Sequence, residues 1–147
     1  MKSINVITLK QYIERSVEVS DDHVRSPEDA LAIINEIFDL EHEAVELFGI
    51  LTLTTKNKLA GAHILGKGLL SSALVRPREV MISAFQNNAA SIVLFHNHPS
   101  GDPTPSPEDV EVTRRVVDAG ELIGIDIMDH IIIGDRSHHS MKANGLM

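Results

Sequence analysis

The chain has 147 residues, of which 43% are hydrophobic, and 13 basic against 21 acidic side chains give a formal net charge of −8. This length and composition predict one domain with a buried core, and the negative charge disfavours nonspecific binding to nucleic acid or to anionic membranes. The sequence contains no cysteine, which excludes disulfides, thiolate metal ligands and cysteine nucleophiles. Because no apolar stretch approaches the roughly 20 residues of a membrane-spanning helix, we expect a cytoplasmic protein.

The first half of the chain shows patterns typical of strands and helices in turn. Alternating apolar and polar residues predict strands over residues 4–9 and 12–19, so that residues 1–25 would form an N-terminal strand extension. Ser26 and Pro27 predict the start of a helix that ends near Phe38. A strand over residues 46–55, a turn at 56–58 and a strand over 59–64 predict a hairpin, which we place at the centre of the sheet.

The second half of the chain continues this alternation. A loop containing Gly66 and Gly68 leads to a predicted helix over residues 77–87, and the apolar run at residues 91–95 predicts a buried strand. A helix over residues 107–122 and a strand over residues 125–134 follow. Strands that alternate with helices predict an α/β fold, a mixed β-sheet flanked by helices.

One stretch of the chain has residue types and spacing that suggest metal chemistry. It consists of His96, one residue, His98, seven residues, Ser106, two residues and Asp109. Residues two apart in an extended chain share a face, so the two imidazoles are expected to point the same way. A hydrolytic zinc ion usually takes three protein ligands and leaves a fourth position for water. His96, His98 and Asp109 therefore form a candidate ligand set for one zinc ion per chain.

Two alternatives to this ligand set remain open from the residues alone. The tetrapeptide Ser-Pro-Glu-Asp at residues 106–109 is also a helix N-terminal signal, and it occurs a second time at residues 26–29. Capping alone could therefore explain Ser106 and Asp109, although only the second copy follows a His-x-His pair. Asp102, four residues after His98, is a rival third ligand.

The remaining histidines and the basic pairs have simpler interpretations. His130 is expected to be a packed, hydrogen-bonded histidine of a strand rather than a metal ligand. His138 and His139 are expected to be solvated in a polar tail. Ordinary surface is the expected location of two basic pairs, Arg76 with Arg78 and Arg114 with Arg115.

The pattern of His96, His98, Ser106 and Asp109 resembles that of the JAB/MPN (JAMM) zinc metalloproteases, and the run of residues 96–109 is most similar to the RadC-like branch of that family. The similarity extends to five further segments, Arg78-Glu79-Val80, Asn88-Ala89-Ala90, Ala119-Gly120-Glu121, Asp129-His130 and Asn144-Gly145-Leu146. It implies a cytidine-deaminase-like α/β sandwich with one zinc ion, and peptide or isopeptide hydrolysis as its chemistry. Longer RadC-like proteins carry a helix-hairpin-helix module, for which this sequence has no room, so we expect a single stand-alone JAB domain over residues 1–147.

The resemblance also implies a general base, a glutamate at the start of an early strand, and Glu46 fits that place. The residues alone do not distinguish Glu46 from Glu43 or Glu79. Glu46 would take the proton of a zinc-bound water, and the Ser106 hydroxyl would help to stabilise the oxyanion. The expected partner is a peptide or protein substrate. A non-catalytic zinc-containing scaffold or binding module and a factor associated with DNA repair are the two alternative functions, and the acidic charge disfavours the latter.

Overall fold

The computed structural model describes residues 1–68 and 75–147 of the chain. Within these ranges the elements are α1 (Pro27–Ile37), a 3₁₀ turn (Leu40–His42), β1 (Leu47–Leu53), β2 (Leu59–Lys67), α2 (Pro77–Gln86), β3 (Ser91–Asn97), α3 (Pro107–Ile123), β4 (Asp126–Ile133) and β5 (His138–Ser140). The predicted α/β class is confirmed, and so are the helices and strands predicted from Ser26 onward, with small differences at their ends. The largest difference is in β2, which continues to Lys67 and so includes Gly66, a residue predicted to lie in a loop. Residues 69–74 of that predicted loop lie outside the described residues. No helix in the described ranges has the length and apolar character needed to cross a membrane.

The strands form one mixed sheet in the order β2-β1-β3-β4-β5. β1 is antiparallel to both β2 and β3, whereas β3 and β4 run parallel and are joined through α3. The predicted position of the β1–β2 hairpin at the centre of the sheet is wrong, because β2 is an edge strand and β3 lies in the middle. Burial explains the difference, since β3 is buried at every position and β2 is half-buried or exposed along its length.

Helices cover both faces of this sheet. α1 packs on one face, against a cluster that includes Val93 and Phe95 of β3, while α2 and α3 pack on the other face, against a cluster that includes Ile92 and Leu94. Successive side chains of a strand point to opposite faces, so a central strand between two helical layers needs apolar residues at consecutive positions. This requirement explains the uninterrupted apolar run that precedes His96.

The strands predicted over residues 4–9 and 12–19 are wrong, because the structure has no strand within residues 1–22. The apolar side chains of Ile4, Val6 and Ile7 are exposed. An alternating pattern forms a strand only when a neighbouring strand completes its hydrogen bonds and another layer covers its apolar face. The segment instead contacts the end of α1, where the Arg15 guanidinium donates to the carbonyl of Ile37 at 3.1 Å.

The polar tail predicted around His138 and His139 is also wrong, because these residues belong to β5. His138 is exposed, as predicted, whereas His139 is half-buried. β5 pairs with β4. The buried Asp129 of β4 stabilises the turn that follows β5. Its carboxylate accepts hydrogen bonds from the Ser140 hydroxyl at 2.5 Å and from the Lys142 backbone N–H at 3.1 Å. A buried carboxylate is stable when it is satisfied in this way.

Candidate metal centre

Four side chains meet at the carboxyl end of β3. His96 is in β3 and His98 directly follows it, while Glu46 precedes β1 and Asp109 lies in the first turn of α3. Each of the four offers one ligand atom, and these atoms all lie within 4.8 Å of one another. His96 is buried and the other three are half-buried, so the cluster faces a site that a small solute can reach.

The two histidines and the aspartate make the closest approaches. The Nε2 atoms of His96 and His98 are 3.0 Å apart. Asp109 places Oδ1 at 3.2 Å from Nε2 of His96 and Oδ2 at 3.1 Å from Nε2 of His98. Glu46 is more distant, with Oε1 at 3.7 Å from Nε2 of His96. The cluster therefore has three groups in a tight triangle, two imidazoles and one carboxylate, and a second carboxylate beside it.

The sheet positions His96. It is directly opposite Phe48 of β1 in the strand pairing, and the two rings stack with their centroids 5.9 Å apart. His96 also shares the face of Ile92 and Leu94, because the three residues are two apart in β3. This is the face covered by α2 and α3, so the strand directs the imidazole toward the helix that carries Asp109.

A loop after β3 positions His98. Its backbone N–H donates to the carbonyl of Ile133 at 2.8 Å, and its Nδ1 lies 2.8 Å from the backbone carbonyl oxygen of Asp102. Because a carbonyl oxygen can only accept, Nδ1 carries a hydrogen. Nε2 therefore presents its lone pair to the cluster when the ring is neutral and donates to Asp109 when the ring is protonated. The hydrogen bond to Asp109 raises the pKa of His98 above its ordinary value.

Asp102, the rival third ligand, lies outside the cluster. Its side chain is exposed, and its Oδ1 accepts from the backbone N–H of Thr104 at 3.0 Å and from the Thr104 hydroxyl at 2.7 Å. What Asp102 contributes is its backbone oxygen, which orients His98. Sequence spacing did not reveal this role, because a backbone acceptor has no signature in residue type.

Asp109 is held by the start of α3. Ser106 caps the helix by accepting from the Asp109 N–H at 3.1 Å, and the Ser106 N–H donates back to Oδ2 of Asp109 at 2.8 Å. This oxygen is the one that faces His98, so helix capping and membership of the cluster use the same carboxylate. Burial acts to raise the pKa of Asp109, but hydrogen bonds with His96 and His98 outweigh it and hold that pKa well below its ordinary value.

The second copy of the tetrapeptide has a different environment. Ser26 caps α1 through the backbone N–H of Asp29 at 3.2 Å. The Asp29 carboxylate, however, accepts from the backbone N–H and the guanidinium of Arg25, at 2.8 Å and 3.1 Å. The same four residues therefore cap both helices, and only the second copy adds a carboxylate to a histidine cluster.

Asn97 fixes the backbone on both sides of Glu46. Its Oδ1 accepts from the Leu47 N–H at 2.7 Å, and its Nδ2 donates to the Val45 carbonyl at 3.0 Å. Asn97 is buried and points to the sheet face opposite His96. Sequence reasoning treated it only as the spacer between two histidines, although a polar residue at a predicted buried position needs partners and was a usable signal.

The other two candidates for the base lie elsewhere. Glu79 is on the surface of α2, where Oε1 forms an ion pair with the Arg76 guanidinium at 2.6 Å. Glu43 directly follows the 3₁₀ turn and is not part of the cluster. The structure thus distinguishes Glu46 from both, which the residues alone did not do.

Two buried residues lie behind the cluster. His130 of β4 is fully buried, with Nε2 at 2.7 Å from Nδ1 of His96 and Nδ1 at 2.6 Å from the Thr113 hydroxyl of α3. The prediction that His130 is packed and hydrogen-bonded is confirmed. Burial holds the pKa of His130 well below its ordinary value, which favours the neutral ring. The sequence did not single out Thr113, because its partner His130 belongs to β4, a different element of the fold.

The mixed five-stranded sheet with helices on both faces is the arrangement of a JAB/MPN-type α/β protein. A family model described as the RadC-like JAB domain matches residues 24–146. The chain therefore belongs to the family of RadC-like JAB domains.

Three relatives illustrate the extent of the similarity. A UPF0758 protein of Desulforamulus reducens is 48% identical over 124 residues, which cover 84% of this chain and 54% of the relative. A UPF0758 protein of Desulforudis audaxviator is 46% identical over 126 residues, with 84% and 53% covered. The UPF0758 protein YsxA of Bacillus subtilis is 41% identical over 150 residues, with 100% and 64% covered. The chain thus spans between about half and two thirds of the length of these curated relatives.

The structure predicts that Asn97 is important for stability. Asn97→Ala removes both hydrogen bonds and leaves the Leu47 N–H and the Val45 carbonyl without this partner in a buried place. We expect the free energy of unfolding to fall by about 1–3 kcal/mol, as measured by urea denaturation. Asn35→Ala, the same substitution at an exposed position of α1, is the control and should stay within about 0.5 kcal/mol of the wild type. Equal effects of the two substitutions would contradict this stabilising role of Asn97.

Proposed function

We propose that this chain is a zinc-dependent hydrolase that cleaves peptide or isopeptide bonds with a metal-activated water. The observation that carries the proposal is the tight triangle formed by Nε2 of His96, Nε2 of His98 and the Asp109 carboxylate, with Glu46 beside it. Two imidazoles and one carboxylate are a ligand set typical of a hydrolytic zinc site. The family of RadC-like JAB domains, to which the chain belongs, is one in which such chemistry is expected.

The spacing of the ligand atoms fits a zinc ion. Zinc binds imidazole nitrogen at about 2.0–2.1 Å, so two ligands of a tetrahedral site lie about 3.3 Å apart. The three closest approaches in the cluster are 3.0, 3.1 and 3.2 Å. Magnesium and calcium prefer sites built mainly from oxygen, whereas imidazole ligands suit zinc and its first-row neighbours. Zinc is the one of these that combines redox inertness with hydrolytic chemistry.

Glu46 is the proposed general base. Zinc bound by His96, His98 and Asp109 would lower the pKa of a bound water to about 7 and polarise the substrate carbonyl. The Glu46 carboxylate, 3.7 Å from Nε2 of His96, accepts a proton from the attacking water at Oε1 or Oε2. It then donates this proton to the nitrogen of the leaving amine. One carboxylate thus acts as base and then as acid.

Ser106 acts as a hydrogen-bond donor and not as a nucleophile. Its Oγ accepts from the Asp109 N–H at 3.1 Å, and its own hydroxyl hydrogen can be donated to the oxyanion that develops on the carbonyl. A serine nucleophile needs an adjacent base. The two histidines that approach Asp109 have their Nε2 atoms in the cluster, so neither is placed to serve Ser106 in that way.

Zinc content is the first test. Untagged protein, reconstituted and dialysed, should contain about one zinc ion per chain by mass spectrometry of the metal. His96→Ala and Asp109→Ala should each lose it, because either change leaves only two ligands. His23→Ala is the control, because His23, Asp21 and Asp22 are the second group of possible ligands within the described residues and lie largely at the surface. Wild-type protein without bound zinc, or zinc lost only in the control, would contradict the proposed site.

Catalysis is tested by Glu46→Gln. This change keeps the size of the side chain and removes its capacity to accept a proton, so zinc should remain bound while hydrolysis falls by about 10²–10⁴-fold. The measurement is single-turnover cleavage of linear and isopeptide-linked peptides. An unchanged rate in Glu46→Gln would contradict the mechanism, and zinc-loaded wild type that binds these peptides without cleaving them would favour a binding module.

The repeated tetrapeptide offers a matched control for Ser106. Ser106→Ala and Ser26→Ala each remove a helix cap, so each should lower the free energy of unfolding by about 1 kcal/mol. Only Ser106→Ala should lower kcat, by about 10²–10³-fold, because only Ser106 can donate to the oxyanion. Thermal unfolding and steady-state hydrolysis measure the two effects. Equal kcat values for both variants would show that Ser106 acts through capping alone.

A further inference from the structure

A hydrogen-bonded chain of three buried side chains ends at His96, and we propose that its other two members, Thr113 and His130, are positioning residues that hold His96 in the tautomer able to bind a metal ion. The chain runs from α3 through β4 to β3, and neither Thr113 nor His130 is part of the cluster. The proposal rests on the metal site proposed above. It concerns the position of one hydrogen atom, which can be determined in the metal-free protein.

The chain begins at Thr113. Its Oγ1 lies 2.7 Å from the backbone carbonyl oxygen of Asp109, one helical turn earlier. Two oxygens approach this closely only with a hydrogen between them, and the carbonyl can only accept, so the Thr113 hydroxyl donates. Thr113 has one hydroxyl hydrogen. Toward Nδ1 of His130, Oγ1 is therefore an acceptor.

His130 links Thr113 to His96, and its two hydrogen bonds determine which nitrogen of His96 carries the hydrogen. Its Nδ1 lies 2.6 Å from Oγ1 of Thr113 and must donate to it. A neutral imidazole has one N–H, so Nε2 of His130 is an acceptor, and it lies 2.7 Å from Nδ1 of His96. His96 therefore carries its hydrogen on Nδ1. In the neutral ring the lone pair is then on Nε2, the atom that faces Asp109 and His98.

The opposite polarity would block metal binding. If the Thr113 hydroxyl donated to His130, the hydrogen of His96 would move to Nε2 and point at the other ligand atoms. In His98, a backbone carbonyl, that of Asp102, holds the hydrogen on Nδ1. His96 is in a central strand that is paired with both β1 and β4, where backbone carbonyls take part in the ladders. A side-chain acceptor from the neighbouring strand is the available alternative.

This arrangement also links two metal ligands. The carbonyl that accepts from the Thr113 hydroxyl belongs to Asp109, and the ring whose hydrogen is placed on Nδ1 is His96. The start of α3 thus sets the proton position at the end of β3. Groups that hydrogen-bond to a metal ligand in this way contribute about 10–100-fold to metal affinity.

The test uses a matched pair at Thr113. Thr113→Val keeps the shape and removes the hydroxyl, whereas Thr113→Ser keeps the hydroxyl. In metal-free protein with ¹⁵N-labelled histidine, NMR should show the hydrogen of His96 on Nδ1 in the wild type and in Thr113→Ser, and a mixture of tautomers in Thr113→Val. Zinc affinity, measured by competition with a chelator, should fall by about 10-fold or more in Thr113→Val alone.

A second pair at His130 makes the result independent of any single variant. His130→Gln can place Oε1 where Nε2 was and accept from His96, so most of the zinc affinity should be rescued. His130→Leu has no acceptor, so its zinc affinity should fall by about 10–100-fold. Circular dichroism and thermal unfolding establish that each variant is folded. If His130→Leu does not fold, the Thr113 pair decides.

Three results would overturn the proposal. One is wild-type zinc affinity together with an unchanged His96 tautomer in folded Thr113→Val. Another is equal weakening in Thr113→Ser and Thr113→Val, which would assign the effect to packing. The third is a metal-free wild type in which His96 carries a hydrogen on Nε2 and none on Nδ1. Failure of the wild type to bind zinc would contradict the proposed function, yet the NMR result would still decide the polarity of the chain.

Discussion

The opposite orientation of His96 and Asn97, adjacent residues at the end of β3, is the constraint on which the site depends. His96 enters the cluster on the face of α3, and Asn97 holds the backbone around Glu46 on the other side. A slip of one residue in strand pairing would exchange these faces. The apolar residues before them fit either face, because both are buried. The register is therefore specified by polar side chains that find partners in only one arrangement.

The carboxylate of Asp109 shows how a local stability device becomes part of a site. At a helix N-terminus a carboxylate is favoured by free backbone N–H groups and by the helix dipole. In α1 the corresponding carboxylate of Asp29 pairs with Arg25, and the tetrapeptide there serves to cap the helix. In α3 the same position faces two imidazoles that the preceding strand supplies. The tetrapeptide thus supplies the placement of the carboxylate, and its surroundings supply the chemistry.

The sequence revealed the parts of the site that depend on local signals. His96 and His98 are two apart at the end of an apolar run, and Asp109 follows a recognisable cap. Glu46 required the family resemblance, because its approach to His96 depends on the pairing of β1 with β3. The apolar alternation at residues 4–19 failed as a strand signal for a related reason, since it specifies a face without specifying a partner. Long-range pairing is what neither periodicity nor capping encodes.

Counting donors and acceptors explains why the cluster favours a cation. In the neutral ring of His98, Nε2 presents a lone pair, because the one hydrogen is on Nδ1 and is donated to the Asp102 carbonyl. It faces the ionised Asp109 carboxylate, with a second carboxylate, that of Glu46, nearby. Acceptors gathered in a half-buried place repel one another unless protons or a cation lie between them. The unfolded chain does not hold these groups together, so a cation that binds the cluster also stabilises the fold. Metal affinity and folding stability are therefore coupled through the same four side chains.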